Sequence, residues 1–146
     1  MAKQEGVNVM KYLMNHIPIR LLTLLAWAGL ALALTMLPNS VPFVGRISRT
    51  LGGTAAGGAF GHAGLFGMLA LMLYLALRTQ LSRAWALLLA VVFALLLATG
   101  TEFYQVLLAD RDASLVDLLA NYLGIFLVSF CVSYTANLLA KPQSTP

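Results

Sequence analysis

Charge is what this sequence has least of. Only 10% of its 146 residues are Asp, Glu, Lys or Arg, against about 25% in an ordinary soluble domain, while 60% are hydrophobic. That balance excludes a soluble globular domain and implies an integral membrane protein. Cysteine is nearly absent as well: Cys131 stands alone, so no intrachain disulfide and no zinc-type cysteine cluster can form. The enzyme signatures are missing too, with no H-E-x-x-H, no G-x-S-x-G nucleophile elbow and no Walker lysine. The net charge of +4 does not point to nucleic acid, because the basic residues fall in ones and twos beside apolar segments, where they act as topology signals. Membrane lipids are the expected partners, and no cofactor is assigned.

What is present is a series of long apolar runs. A spanning helix needs about 20 residues, so the chain has room for four of them and for no separate soluble domain. The first run is residues 21 to 37, ended by Pro38. No small-residue cleavage site follows it, so the run is expected to stay as a helix. The segment from Pro38 to Gly61 carries prolines, glycines and two arginines and predicts a loop with room for a short interfacial turn. Further helices are predicted from about Ala59 to Leu77, Ala84 to Val106 and Leu115 to Leu139. The expected organisation is a polar N-terminal segment at 1–18, a four-helix membrane domain at 19–140 and a flexible tail at 141–146. Lys3, Lys11, Arg20, Arg78, Arg83 and Lys141 fall on one side of these spans, and Arg46, Arg49 and Arg111 on the other. Six against three predicts an all-α bundle with both termini in the cytoplasm.

Gly58, Gly61, Gly64 and Gly67 recur every third residue of the second predicted span. Small residues at such spacing let another backbone come close in lipid, so these glycines, with Gly124 in the last helix, are expected to serve helix packing rather than ligand binding. Trp27 lies deep in the first span and faces either lipid or the bundle.

Polar residues gather at one end. With the N-terminus inside, His62, Glu102, Gln105, Asp117 and Asn121 fall at one depth near the outer ends of three helices. Glu102 and Gln105 are three apart and Asp117 and Asn121 four apart, so each pair shares one face of its helix. Arg111 lies between the two helices, where it can fold back over the cluster and hold a phosphate or carboxylate. Ser114 is an N-cap candidate three residues before Asp117. An ionised acid within a bilayer costs about 3 kcal/mol, so pairing or protonation is expected, with His62 or Arg111 as partners for Glu102. The structural alternatives are plain. Asp117 is also placed to act as a capping acid, and Gln105 and Asn121 as interhelical glue. Glu102 is the sharpest candidate, since a helix C-terminus disfavours an acid. His62, Glu102 and Asp117 lie on three helices without a spacing that singles out a metal, so none is assigned.

The spacing E-x-x-Q-x-x-x-x-x-R-x-x-S-x-x-D-x-x-x-N-x-x-G, here Glu102, Gln105, Arg111, Ser114, Asp117, Asn121 and Gly124, resembles the C-terminal motif of the VanZ-like family of small integral membrane proteins. The GHAGLFGMLALML stretch with His62 is similar to the family's other motif, and the resemblance covers residues 20 to 140. Four positions depart from the pattern. Gly58 and Ala59 stand where the family often has Asp-Lys, Phe66 where an aromatic hydroxyl is common, and Val128 where a second glycine often follows. The resemblance implies a bacterial cytoplasmic (inner) membrane location and a link to the cell envelope or to resistance to the glycopeptide teicoplanin; it supplies no reaction.

Taken together, these features predict an outward-facing polar pocket of His62, Glu102, Gln105, Arg111, Asp117 and Asn121 that binds a headgroup, an envelope precursor or another amphiphilic ligand. Two alternatives stand beside it: an intramembrane enzyme using His62 or Glu102 in acid–base chemistry on a lipid-linked substrate, and a structural assembly protein. Oligomeric state is not fixed by the sequence.

Overall fold

The computed structural model describes the backbone at residues 2–51, 53–108 and 113–140, and the side chains at 18–50, 53–54, 56–108 and 113–138. Arg111, the side chains of Lys3 and Lys11, and the tail from Lys141 onward lie outside the described residues. Among the described residues five helices follow one another: α1 at Ala2–Met36, α2 at Pro42–Leu51, α3 at Ala55–Leu77, α4 at Arg83–Gln105 and α5 at Leu115–Ala140. Four of them contain stretches long and apolar enough to cross a membrane: Pro18–Met36, Ala56–Leu77, Arg83–Gln105 and Leu115–Leu138.

Two elements differ from the sequence expectation. Helix α1 begins at Ala2 and runs through Pro18, where the sequence predicts a boundary. A proline removes one backbone hydrogen bond and crowds the preceding turn, which bends a helix without necessarily ending it. Between the first two spans, in place of a loop, α2 forms ten residues of helix. Pro42 occupies its first position, where the missing N–H is no loss and the fixed φ suits the helix. Gly45 makes the tight entry possible: a Cβ there would collide with the Asn39 carbonyl oxygen.

Helix α3 starts four residues earlier than its apolar run, because Thr54 caps it. The Thr54 hydroxyl accepts the Gly57 N–H at 3.0 Å with an extended backbone at position 54. That cap offsets the poor helix propensity of Gly57 and Gly58.

Helix α3 is the hub. It packs against α1, α2, α4 and most extensively α5, whereas among the described residues α1 and α5 make no contact with each other. The long helices therefore form a rhombus, with α3 and α4 across its short diagonal and α1 and α5 at the far corners. The core is narrow and rich in small residues: Phe66, Leu69 and Ala70 of α3 meet Ala94 and Ala98 of α4 and Ile125 of α5. Ala86, Ala90, Ala94 and Ala98, at intervals of four, put one buried stripe of methyl groups along α4. Side chains this short let the helix axes approach, the usual packing device in lipid, where apolar burial alone gives helices no reason to associate. The larger side chains Leu119, Leu123, Phe126, Leu127 and Phe130 of α5 point outward, as a lipid-facing surface requires.

Candidate functional site

Of the polar residues singled out in the sequence, His62, Glu102, Gln105, Asp117 and Asn121 lie at one end of the bundle, where α1 and α4 end and α3 and α5 begin, and Arg111 lies outside the described residues. Among the described residues no hydrogen bond links His62 and Asn121 to Glu102 or Gln105. Four of them, Gln105, Glu102, His62 and Asn121, take part in three interhelical hydrogen bonds, each joining a different pair of helices.

Two of these bonds are tertiary helix caps. The last carbonyls of a helix and its first N–H groups lack partners within the helix. The Gln105 amide donates from Nε2 to the Thr35 carbonyl in the last turn of α1, at 3.1 Å. The Glu102 carboxylate accepts the backbone N–H of Ser114 at 2.5 Å, just before α5. One turn of α4 thus ends one neighbour and starts another, with a donor for the carbonyl and an acceptor for the N–H. Both side chains are buried, Glu102 at 6% and Gln105 at 2% exposure. In a capping box an acid at the third helical position would reach back to the Ser114 N–H. Here Ser114 receives the Asp117 N–H on its hydroxyl at 3.3 Å, while Glu102 takes the reciprocal role from another helix. This accounts for an acid at the C-terminal end of α4: it serves the positive N-terminal end of α5.

The third bond is of another kind. His62, about 10 Å along α3 from its start at a rise of about 1.5 Å per residue, meets Asn121 at a similar depth on α5. His62 Nδ1 and Asn121 Oδ1 are 3.2 Å apart. Asn121 is fully buried, at 0% exposure, and its Nδ2 has no hydrogen-bond partner among the described residues. Turning the amide over would give Nδ2 to the histidine and leave Oδ1 alone, so one amide atom is unsatisfied in either orientation. Asp117, one turn nearer the mouth on the same face, is half-buried, and no hydrogen bond reaches its carboxylate among the described residues. No hydrogen bond joins Glu102 to His62 among the described residues either, where His62 meets Asn121 and Glu102 meets the Ser114 N–H; the other expected partner of Glu102, Arg111, lies outside the described residues.

Helix packing positions this pair. Gly67 and Gly124 make the close approach of α3 to α5: a Cβ on Gly67 would stand 2.9 Å from the Gly124 carbonyl oxygen and 3.1 Å from the Val128 side chain. Gly61 and Gly64 face open space and make no such approach. Gly58 lies in the first turn of α3, where its N–H binds the Thr54 carbonyl.

A groove of about 200 Å³ opens on the α4 side of α5, lined mainly by Glu102, Phe103, Val106, Ser114, Leu115 and Leu118. Its walls are mostly apolar. No group of three His, Cys, Asp or Glu side chains among the described residues is arranged to hold a metal ion.

Three tethers escaped the sequence reading. The Trp27 indole donates to the Leu65 carbonyl at 3.0 Å, fixing α1 to α3 and placing this ring on the bundle side. Tyr122 OH lies 2.7 Å from Thr99 Oγ1. Because the Thr99 hydroxyl already donates to the Leu95 carbonyl, Tyr122 is the donor in that pair. At the opposite end Arg83 donates to the Ser133 carbonyl at 2.5 Å. Sequence signals existed only for the alanine stripe, through its period of four.

Fold and site together define a polytopic membrane protein with a polar pair, half-buried His62 and buried Asn121, between two parallel helices. Comparison with protein-family models, with curated proteins and with solved structures finds no match to this chain.

Proposed function

We propose that this is a VanZ-like protein of the bacterial cytoplasmic membrane, with both termini in the cytoplasm, that holds the polar headgroup of an amphiphile such as an envelope precursor between the outer ends of α3 and α5. One observation carries the reading: Asn121 is fully buried beside His62 and retains an unsatisfied amide atom. In a bilayer no water stands ready to satisfy such a group, and leaving it bare costs several kcal/mol on the order of an apolar transfer. A ligand hydroxyl or carbonyl supplies the missing partner. Asp117, nearer the mouth, offers a carboxylate to the same headgroup, and the apolar groove beside α5 accommodates the adjoining hydrocarbon. The seven-position motif and the six-to-three basic count support the family and the orientation.

Acid–base chemistry is the second reading, and it draws on the same pair. With Oδ1 of Asn121 accepting from Nδ1, the histidine proton is fixed there and Nε2 presents its lone pair, the arrangement of an oriented general base.

The test replaces both partners at once, His62→Leu with Asn121→Leu, because removing a hydrogen-bonded pair together is close to neutral for stability. Binding predicts that cells expressing the double variant lose the teicoplanin tolerance conferred by wild type, while the purified variant melts no earlier. Earlier melting, with tolerance tracking protein amount, would make the pair interhelical glue. If wild type confers no tolerance, the antibiotic drops out of the reading.

A further inference from the structure

The geometry points to α2 as a membrane-surface helix whose Arg46 and Arg49 hold the phosphate of an anionic phospholipid. This rests on observations separate from the His62–Asn121 pair. Successive residues of a helix turn by about 100°, so the ten residues of α2 divide into three sides. Val44 and Gly45 are buried and turn toward α1 and α3. Arg46 and Arg49, one turn apart, are exposed, and no ion pair engages either among the described residues. Phe43 completes the helix at 55% exposure, on the flank beyond Arg46.

Chain connectivity fixes where this helix sits. The first span ends at Met36 and the next begins at Ala56. Only residues 37–41 link α1 to α2, and Gly45 is pressed against the Asn39 carbonyl, so α2 stays at the end of the bundle where the membrane meets water. A helix lying there with an apolar residue on one free side and cations on the other matches the two layers of an interface: hydrocarbon for Phe43, headgroups for the arginines. Guanidinium groups three positions apart are close enough to share one phosphate, which they bind in a bidentate fork. A neutral headgroup phosphate carries a compensating amine that two arginines repel, so charge complementarity selects an anionic lipid over a zwitterionic one.

The experiment uses the purified full chain, titrated with phosphatidylglycerol or with phosphatidylcholine, and counts retained lipid by native mass spectrometry. Each arginine near an anionic surface contributes a factor of about five, so wild type is expected to favour phosphatidylglycerol by roughly thirtyfold. Arg46→Gln with Arg49→Gln abolishes most of that preference; Arg46→Lys with Arg49→Lys keeps much of it; Arg78→Gln, at the opposite end, leaves it intact. A Phe43→Trp variant, read against the wild-type background of Trp27 and Trp85, gains fluorescence that lipid brominated near the top of its acyl chains quenches. Because all four positions are exposed, unchanged melting is expected throughout. Absence of a preference in wild type, its persistence in the double glutamine variant, displacement of the lipid by an equal concentration of inorganic phosphate, or added fluorescence in the Phe43→Trp variant that brominated lipid leaves unquenched would each overturn the assignment.

Discussion

Gly124 lies directly on the main chain of Ala63. A Cβ at position 124 would stand 2.7 Å from the Ala63 carbonyl carbon and 2.8 Å from its Cα, distances at which real side chains do not pack. Ala63 follows His62, and Gly124 comes one turn after Asn121. The contact that draws α3 and α5 together is therefore the one that brings the two polar side chains within hydrogen-bonding reach. Packing and site share a cause.

A methyl group at position 124 should force the two helices apart, since backbone cannot move aside as a flexible side chain can. Gly124→Ala is expected to lower stability in detergent by about 1–3 kcal/mol, the ordinary cost of overpacking. Gly64→Ala, where the added methyl meets open space, is expected to be neutral or to stabilise by up to about 1 kcal/mol through helix propensity. Thermal melting of the two variants side by side separates close approach from a general intolerance of α3 and α5 to larger residues.

Glu102 should matter most to the first turn of α5. Glu102→Ala leaves the Ser114 N–H without its acceptor, a loss of about 1–3 kcal/mol for a buried group, whereas Glu102→Gln keeps a carbonyl oxygen in place and should cost less. Hydrogen exchange over residues 113–120 is the direct readout. Faster exchange there in the alanine variant than in the glutamine variant is expected, with α3 unchanged; equal exchange in all three proteins would show that the cap does not hold the turn.

Much of this architecture was legible in the sequence because hydrophobic runs of span length have few other uses. The ends of α4 and α5 fell within a residue of expectation, and the gathering of polar side chains at one end followed from counting along alternating helices. What was not legible is rotation about each helix axis. Glu102, Gln105, His62 and Asn121 share an end, but which neighbour each one meets depends on contacts such as Gly67 with Gly124, and on the alanine stripe of α4. Of four glycines equally spaced on α3, sequence alone could not single out Gly67 for the close approach. Helix α2 was hidden for another reason: its ten residues average neither apolar nor polar, and only their arrangement around the axis shows a helix.

Tyr122 and Thr99 make the α4–α5 hydrogen bond nearest the middle of the span. A double-mutant cycle with Tyr122→Phe and Thr99→Ala is expected to return a coupling of about 0.6 kcal/mol and no more than about 1.7, the range for side-chain bonds between membrane helices. The value is modest because the Thr99 hydroxyl retains the Leu95 carbonyl in the tyrosine variant. Zero coupling in the cycle would mean that the two hydroxyls are neighbours without being partners.

Gln105 offers the sharpest separation of scaffold from site. Its amide satisfies a carbonyl that the end of α1 leaves bare, so its work is complete within the fold, unlike that of Asn121. Gln105→Met, close in volume but without the donor, should cost about 1–3 kcal/mol, because it leaves the Thr35 carbonyl unpaired where water does not reach it. Melting temperature should fall, and any phenotype conferred by wild type should persist for each molecule that remains folded. The His62→Leu with Asn121→Leu pair should behave in the opposite way, keeping stability and losing the phenotype. Measuring both variants in the same cells, with tolerance normalised to membrane protein level, turns that contrast into a single comparison. A phenotype lost equally in both would place Gln105 inside the ligand site rather than beneath it.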